Sequence, residues 1–242
     1  MSPRSSKKTK PKKQDVSSLI PVFRPSITEA EIEAVARVMR SGWLGLGAVT
    51  EQFENELADY FNVKHVVAMN SGTAALHLAL LLLDLKPDDE VIVPTISFIS
   101  TAHAVRYCGA RIVFADVDAE TLCIHTDDVR RKINARTKAI IPVHYGGHPC
   151  DMDGLQEAAG ERGVTIIEDA AHACGAMYKD QWIGGLSPLT CFSFHAVKNL
   201  TCGEGGAVFT NEDAWAGKLR ELRWMGISKD TYARSVRDRS YA

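Results

Sequence analysis

At 242 residues, with 45% hydrophobic and 24% charged side chains, the chain has the composition of a globular protein and the length for one large domain or two small ones. A formal net charge of -2 gives no reason to expect nucleic acid or an anionic membrane as partner. The six cysteines form no CxxC pair, and several lie in apolar runs. That is a reduced intracellular pattern more than a disulfide framework. The longest apolar run, residues 74–83, is broken by His77 and too short to span a bilayer. The N-terminus is basic but has no apolar core of a signal peptide, so the expected location is cytoplasmic.

Residues 1–18 read as a disordered basic tail, with five lysines and one arginine in the first 15 positions and no apolar cluster. Residues 19–242 read as the folded part. Thr28-Glu29-Ala30-Glu31 has the form of a capping box, and Ile32, Val35, Ala36 and Met39 keep helical spacing to about Arg40. Gly42, Gly45 and Gly47 mark a loop. Their order, G-x-x-G-x-G with no strand before it, is not a dinucleotide fingerprint. Thr50 is placed to cap a second helix with Phe53, Leu57 and Phe61 on one face.

From there strands and helices alternate. Strands are expected at residues 65–69, 90–93, 111–115, 138–143, 164–167, 191–194 and 207–209. Helices are expected at 73–83, 97–107, 126–133, 152–162 and 213–224. The pattern predicts a largely parallel sheet covered on both faces, with the strands short and near-continuously apolar. In such sheets ligands bind beyond the carboxyl ends of the strands.

Several of those ends carry chemistry. Asn70-Ser71-Gly72-Thr73 stands between a strand and a helix, where free amides and the helix dipole suit a phosphate; the same residues also make a plain N-cap. Phe98 follows the second strand, as a ring to stack on a planar group or as a core residue. Asp169, after residues 164–167, is placed to hold a protonated ring nitrogen, the partner pyridoxal phosphate needs, or to cap a helix. His172, three residues on, is a candidate orienting group or a core histidine. His144, His148 and Cys150 have metal-like spacing, but Gly146 and Gly147 argue against a helix aiming both rings together, and no metal site is expected. Lys198 lies just past the strand at 191–194, before Gly203, Gly205 and Gly206. Desolvation in mostly uncharged surroundings can lower the pKa of such an amine, and a deprotonated lysine can form a Schiff base with an aldehyde cofactor.

Phosphate turn, ring, carboxylate and amine occur in this order, each at a strand end. With Ser41-Gly42-Trp43, the segment at 138–144, Glu168-Asp169-Ala170-Ala171-His172-Ala173, Ser193-Phe194-His195-Ala196-Val197-Lys198-Asn199 and Gly203-Glu204-Gly205-Gly206, the chain resembles the DegT/DnrJ/EryC1/StrS sugar aminotransferases. The resemblance runs from about Val22 to Trp224. It implies an α/β fold, the aspartate aminotransferase-like large domain of fold-type I pyridoxal-phosphate enzymes. It also implies a small C-terminal domain that is absent or incomplete here, leaving the polar stretch 229–242 exposed.

By the resemblance, Lys198 holds the cofactor as a Schiff base and moves the proton, and Asp169 holds the pyridine nitrogen. His172 lies near the ring oxygen, Phe98 stacks on the ring, and Ser193, Gly72, Thr73 and Ala74 bind the phosphate. Members with histidine in place of the lysine are dehydratases or deoxygenases, and Lys198 argues against that branch. The implied activity moves an amino group from L-glutamate to a nucleotide-linked keto sugar, at C4 by the likeness of the 138–144 and 168–173 segments, in a homodimer. A lyase or decarboxylase on the same fold would share Lys198 and Asp169. A non-catalytic truncated homologue with an interaction or regulatory role would share the fold alone. Leu44-Gly45-Leu46-Gly47 departs from the serine or threonine often found there in the family, next to the sugar.

Overall fold

The computed structural model of the chain describes residues 23–228. The expected tail at 1–18 and the stretch 229–242 lie outside the described residues.

Helix α1 (Glu29–Ser41) opens on the expected box: Thr28 Oγ1 accepts from the Ala30 amide, and the Thr28 amide donates to Glu31 Oε2 at 2.6 Å. It ends at Gly42, whose φ of 75° is the left-handed cap that glycine adopts without a Cβ penalty. Its apolar stripe is not buried. Ile32, Val35 and Met39 are exposed, and no residue of α1 is buried among the described residues. Helix α2 (Ala48–Phe61) starts at Gly47, before Thr50, so Thr50 sits inside the helix and not at its cap. Leu57 and Phe61 are buried as the spacing demands.

The strands are β1 (His65–Met69), β2 (Glu90–Pro94), β3 (Arg111–Ala115), β4 (Thr137–Ile140), β5 (Thr165–Asp169), a two-stranded hairpin β6 (Met177–Tyr178) and β7 (Gln181–Trp182), then β8 (Leu189–Ser193) and β9 (Gly206–Thr210). The intervening helices are α3 (Gly72–Leu81), α4 (Ile99–Tyr107), α5 (Thr126–Lys132), α6 (Met152–Gly160) and α7 (Asp213–Arg223). The main sheet has the order β1-β9-β8-β5-β4-β2-β3. β3, β2, β4, β5 and β8 pair in parallel; β9 runs antiparallel to both β8 and β1, so β1 points the same way as β8.

The central strands are buried on both faces, β2, β8 and β9 along their whole length. The edge strand β3 is not, and Phe114 on it is half exposed, because only one neighbour and one set of helices cover an edge. β4 stops at Ile140, short of the expected residue 143. Pro142 has no amide for the ladder, though its carbonyl still accepts from the Asp169 amide at 2.8 Å. The hairpin β6–β7 was not expected. Its turn carries Lys179 at φ 52°, which is not a residue that signals such a turn.

One side of the sheet packs α3, α4 and α7 residues such as Leu76, Leu80, Val105 and Leu219 against Val67, Val91 and Val208. Elsewhere Phe61, Phe192 and Phe209 form an aromatic cluster, with centroids 4.5 Å apart for Phe192–Phe209 and 5.2 Å for Phe61–Phe209. Each such pair adds about 0.5–1.5 kcal/mol beyond its burial. This core holds β8 and β9 rigidly, and β8 leads into the Lys198 loop.

Candidate active site

A cleft of about 400 Å³ opens at the carboxyl ends of β1, β2, β5 and β8. That is a size suited to a small cofactor. Gly72, Thr73, Phe98, Asp169, His172, Ser193 and Lys198 all line it.

Its floor is built by three strand ends. Because β9 runs against its neighbours, its first residue, Gly206, lies between the last residues of β1 and β8, in register with Met69 on one side and Ser193 on the other. The chain leaving β1 folds directly over it. A Cβ on Gly206 would stand 2.5 Å from the Ser71 carbonyl carbon and oxygen and 2.6 Å from the Gly72 nitrogen. A Cβ on Gly72 would stand 2.8 Å from the Ser193 Cβ. Two glycines thus let the turn, β9 and Ser193 approach to backbone contact.

The turn is the N-terminus of α3. Ser71 Oγ accepts from the Ala74 amide at 3.1 Å, and the Ser71 carbonyl accepts from the Ala75 amide. The amides of Gly72 and Thr73 have no partner among the described residues and line the cleft. Ala74 is placed differently: its amide donates to Ser71 Oγ, and it is not among the residues that line the cleft. Two free amides at a dipole end beside the Ser193 hydroxyl form an anion cradle.

Asp169 ends β5 inside the strand, not after it, and is buried. Its Oδ2 accepts from Thr101 Oγ1 at 2.7 Å and its Oδ1 from the Ala171 amide at 3.2 Å. One lone pair on each oxygen remains for a donor in the cleft. Thr101, fully buried on α4, belongs to the candidate site through this bond, and the sequence did not single it out. Its signal was a hydroxyl on the apolar face of a helix, one turn beyond Phe98. Glu168 is also fully buried. It takes Thr190 Oγ1 at 2.9 Å and His144 Nε2 at 2.8 Å, while His144 Nδ1 accepts from the Cys150 amide at 3.1 Å. With Nδ1 accepting, the ring proton sits on Nε2 and donates to Glu168. Both nitrogens of His144 are therefore committed to holding β5 to the loop after β4.

Lys198 follows β8 in a turn closed by its own amide on the His195 carbonyl at 2.9 Å. Asn199 Nδ2 ties that turn to the Cys174 carbonyl at 2.5 Å. The lysine is half-buried, and its Nζ makes no hydrogen bond or ion pair among the described residues. Burial pushes its amine below the usual 10.5, opposed by the charge of Asp169. His172 is lowered first by burial and then by the Lys198 charge, with Asp169 again opposing, which favours a neutral imidazole. Its ring meets Tyr145 edge-on at 6.3 Å. Phe98, 70% exposed at the N-cap of α4, stands at the cleft mouth. Tyr145, His195 and Glu204 complete the rim, the last two 3.6 Å apart.

Residues 25–240 match the DegT/DnrJ/EryC1/StrS aminotransferase family. The chain belongs to that family. Solved structures similar to it share the fold closely. DesV of S. venezuelae is 43% identical with a TM-score of 0.81, covering 85% of this chain and 56% of that one. The PLP form of Spr1654 from Streptococcus pneumoniae is 36% identical with a TM-score of 0.80, covering 84% and 57%. Helicobacter pylori PseC, an aminotransferase involved in the biosynthesis of pseudoaminic acid, is 32% identical with a TM-score of 0.82, covering 87% and 57%. The chain therefore spans little more than half the length of these family members. Among the described residues no helix is long and apolar enough to cross a membrane.

Proposed function

We propose that this family member is a pyridoxal-phosphate-dependent aminotransferase that moves an amino group from L-glutamate to C4 of a nucleotide-linked keto sugar, in the cytoplasm and as a homodimer. The observation that carries the reading is the convergence on one cleft of Lys198, Asp169 and an anion cradle made by Gly72, Thr73 and Ser193. The cradle fits a phosphate because the glycines keep it open where a Cβ would close it. Asp169 fits a protonated ring nitrogen because both oxygens keep a free lone pair.

Bound there, the cofactor supplies an aldehyde carbon for amines and a protonated ring that withdraws electrons from the carbon being deprotonated. Every other role falls to the chain. The free amides of Gly72 and Thr73 and the Ser193 hydroxyl hold the phosphate. Asp169, fixed by Thr101 and the Ala171 amide, keeps the proton on the ring nitrogen. Phe98 would cover a ring face and His172 would orient the ring oxygen. Lys198, whose amine burial lowers from its ordinary value, would hold the cofactor through Nζ and would carry the proton on that same atom. The polar rim of Ser97, Ser100, His195 and Glu204 supports a hydroxylated acceptor. The PseC likeness supports the sugar class, and the sequence resemblance supports C4 and glutamate.

Adding pyridoxal phosphate and reducing with borohydride is the test. A stable adduct should map to Lys198, and its initial rate of formation should rise with pH through a midpoint below the ordinary lysine value of 10.5. Glutamate should then convert the cofactor to its amine form, and a panel of nucleotide keto sugars should discharge it. Release of ammonia or carbon dioxide instead would point to a lyase or decarboxylase.

Asp169→Asn should lower the glutamate half-reaction by about 10²-fold or more with little loss of stability, since the shape and one acceptor remain. Asp169→Ala should in addition lower stability by about 1–3 kcal/mol, because the Thr101 hydroxyl and Ala171 amide lose their partner in the interior. Single-turnover absorbance and thermal melts separate the two effects.

A further inference from the structure

Two fully buried ionisable side chains, His144 and Glu168, have no part in the chemistry of the cleft, yet both stand one residue from its wall. Val143 and Tyr145 line the cleft on either side of His144, and Asp169 lines it next to Glu168. Successive residues of an extended chain point to opposite faces, so the pair lies behind the wall that its neighbours form. His144 Nε2 and Glu168 Oε2 are 2.8 Å apart. Glu168 Oε1 accepts from Thr190 Oγ1 at 2.9 Å, and His144 Nδ1 accepts from the Cys150 amide at 3.1 Å.

The pair sits where the sheet loses a ladder. β4 ends at Ile140, in register with Ile166, whereas β5 runs on to Asp169 with β8 on its other side. There Glu168 faces Thr190 and Asp169 faces Cys191. On the β4 side, the Asp169 amide donates to the Pro142 carbonyl at 2.8 Å, and the His144 amide donates to the Asp169 carbonyl at 3.1 Å. The imidazole of the same His144 bonds the carboxylate of the residue before. Backbone and side chain of His144 thus grip two successive residues of β5, and the second is the carboxylate of the site. The grip reaches His172 as well. The His144 carbonyl accepts from the Gly147 amide at 3.1 Å, and a Cβ on Gly147, at φ 87°, would stand 2.9 Å from the His172 carbonyl oxygen.

We propose that His144 and Glu168 are a positioning pair that sets the Asp169 carboxylate at the ring nitrogen of the cofactor. The inference rests on the proposed role of Asp169 in the cleft. Neither side chain is on the cleft wall, so the pair acts through the way Asp169 is held. Thr101 and the Ala171 amide orient the two carboxylate oxygens, and the pair fixes the strand end from which the carboxylate projects. A hydrogen bond to a buried carboxylate is stronger than one between neutral groups, and a carboxylate stripped of donors in the interior is costly, so the link stays closed.

The test titrates the full chain with inorganic phosphate, which reads the cradle, with pyridoxal phosphate, and with its deaza analogue, in which C–H replaces the ring nitrogen. The wild type should bind pyridoxal phosphate tighter than the analogue by about tenfold or more, the worth of one charge-assisted hydrogen bond. His144→Phe combined with Glu168→Leu removes the link and leaves no unpaired buried charge. It should bind phosphate within about twofold of the wild type, while its preference for the ring nitrogen falls to about threefold or less. Glu168→Gln should keep both, because its amide can donate to Thr190 while its oxygen still accepts from His144. Should the double variant fail to fold, His144→Asn, which keeps an acceptor for the Cys150 amide, reads the same ratio. A variant without the link that keeps the wild-type preference, or that loses affinity for all three probes alike, would overturn the pair's role. So would a folded Glu168→Gln without the preference, since that change spares both bonds. A wild type that binds both rings equally would overturn the proposed role of Asp169 itself, and the pair's with it.

Discussion

Lys198→Ala should leave the fold and melting temperature of the wild type intact while lowering the glutamate half-reaction by about 10³-fold and abolishing the borohydride-stable adduct. The stability expectation follows from what the side chain touches. Its Nζ has no hydrogen-bond or ion-pair partner among the described residues, and the turn that carries it is held by the Lys198 amide on His195 and by Asn199 on Cys174. Removing the amine therefore strands nothing. The catalytic expectation follows from the same freedom: among the described residues this is the one lysine on the cleft wall, half-buried, with its charge disfavoured by desolvation. Lys198→Arg should be equally inactive, because a guanidinium keeps its proton at any accessible pH and cannot bond an aldehyde in the same way. An adduct formed at undiminished yield in Lys198→Ala would refute the assignment of the amine.

Gly206→Ala should weaken binding of both pyridoxal phosphate and inorganic phosphate by tenfold or more and cost about 1–3 kcal/mol of stability. The added methyl would run into the Ser71–Gly72 peptide group, meeting the Ser71 carbonyl carbon and oxygen at 2.5 Å and the Gly72 nitrogen at 2.6 Å. No rotamer change relieves a clash with backbone, so either β1 and β9 separate or the turn lifts. Lifting the turn moves the free amides of Gly72 and Thr73 away from Ser193. Gly217, on the surface of α7, offers the control: a Cβ there meets nothing within 4 Å, and Gly217→Ala should leave phosphate affinity unchanged. Isothermal titration with phosphate, alongside melts of both variants, checks this. Unchanged phosphate affinity in Gly206→Ala would show that the turn is not the anion site.

Much of the site was legible before the fold was seen, because its parts are local. A serine and a glycine at a strand-to-helix junction announce an N-cap whatever surrounds them, and Asp169 and Lys198 follow short apolar runs that can only be buried strands. The residues that prepare those groups were not legible in the same way. Thr101 reads as any helical threonine until α4 brings it to Asp169. His144 reads as part of a metal-like cluster until the interior commits one nitrogen to Glu168 and the other to the Cys150 amide. The stripe on α1 keeps its helical spacing, yet among the described residues Ile32, Val35 and Met39 stay exposed. Each difference arises because periodicity reports what a face is suited to meet and carries no information about which partner arrives.

The sequence by itself determined the order of the main-sheet strands and the helices along the chain, the apolar strand interiors and the residues placed at or just beyond their ends, though not the β6–β7 hairpin. Those follow from backbone geometry and side-chain alternation within a few positions. Only the tertiary structure decided that β9 runs against its neighbours, so that Gly206, 134 positions from Gly72, lies beneath the turn and between β1 and β8. Strand direction and order are set by which apolar faces can be covered together, a property of the whole sheet. That long-range choice is what turns a cap, a carboxylate and a lysine into three walls of one cleft.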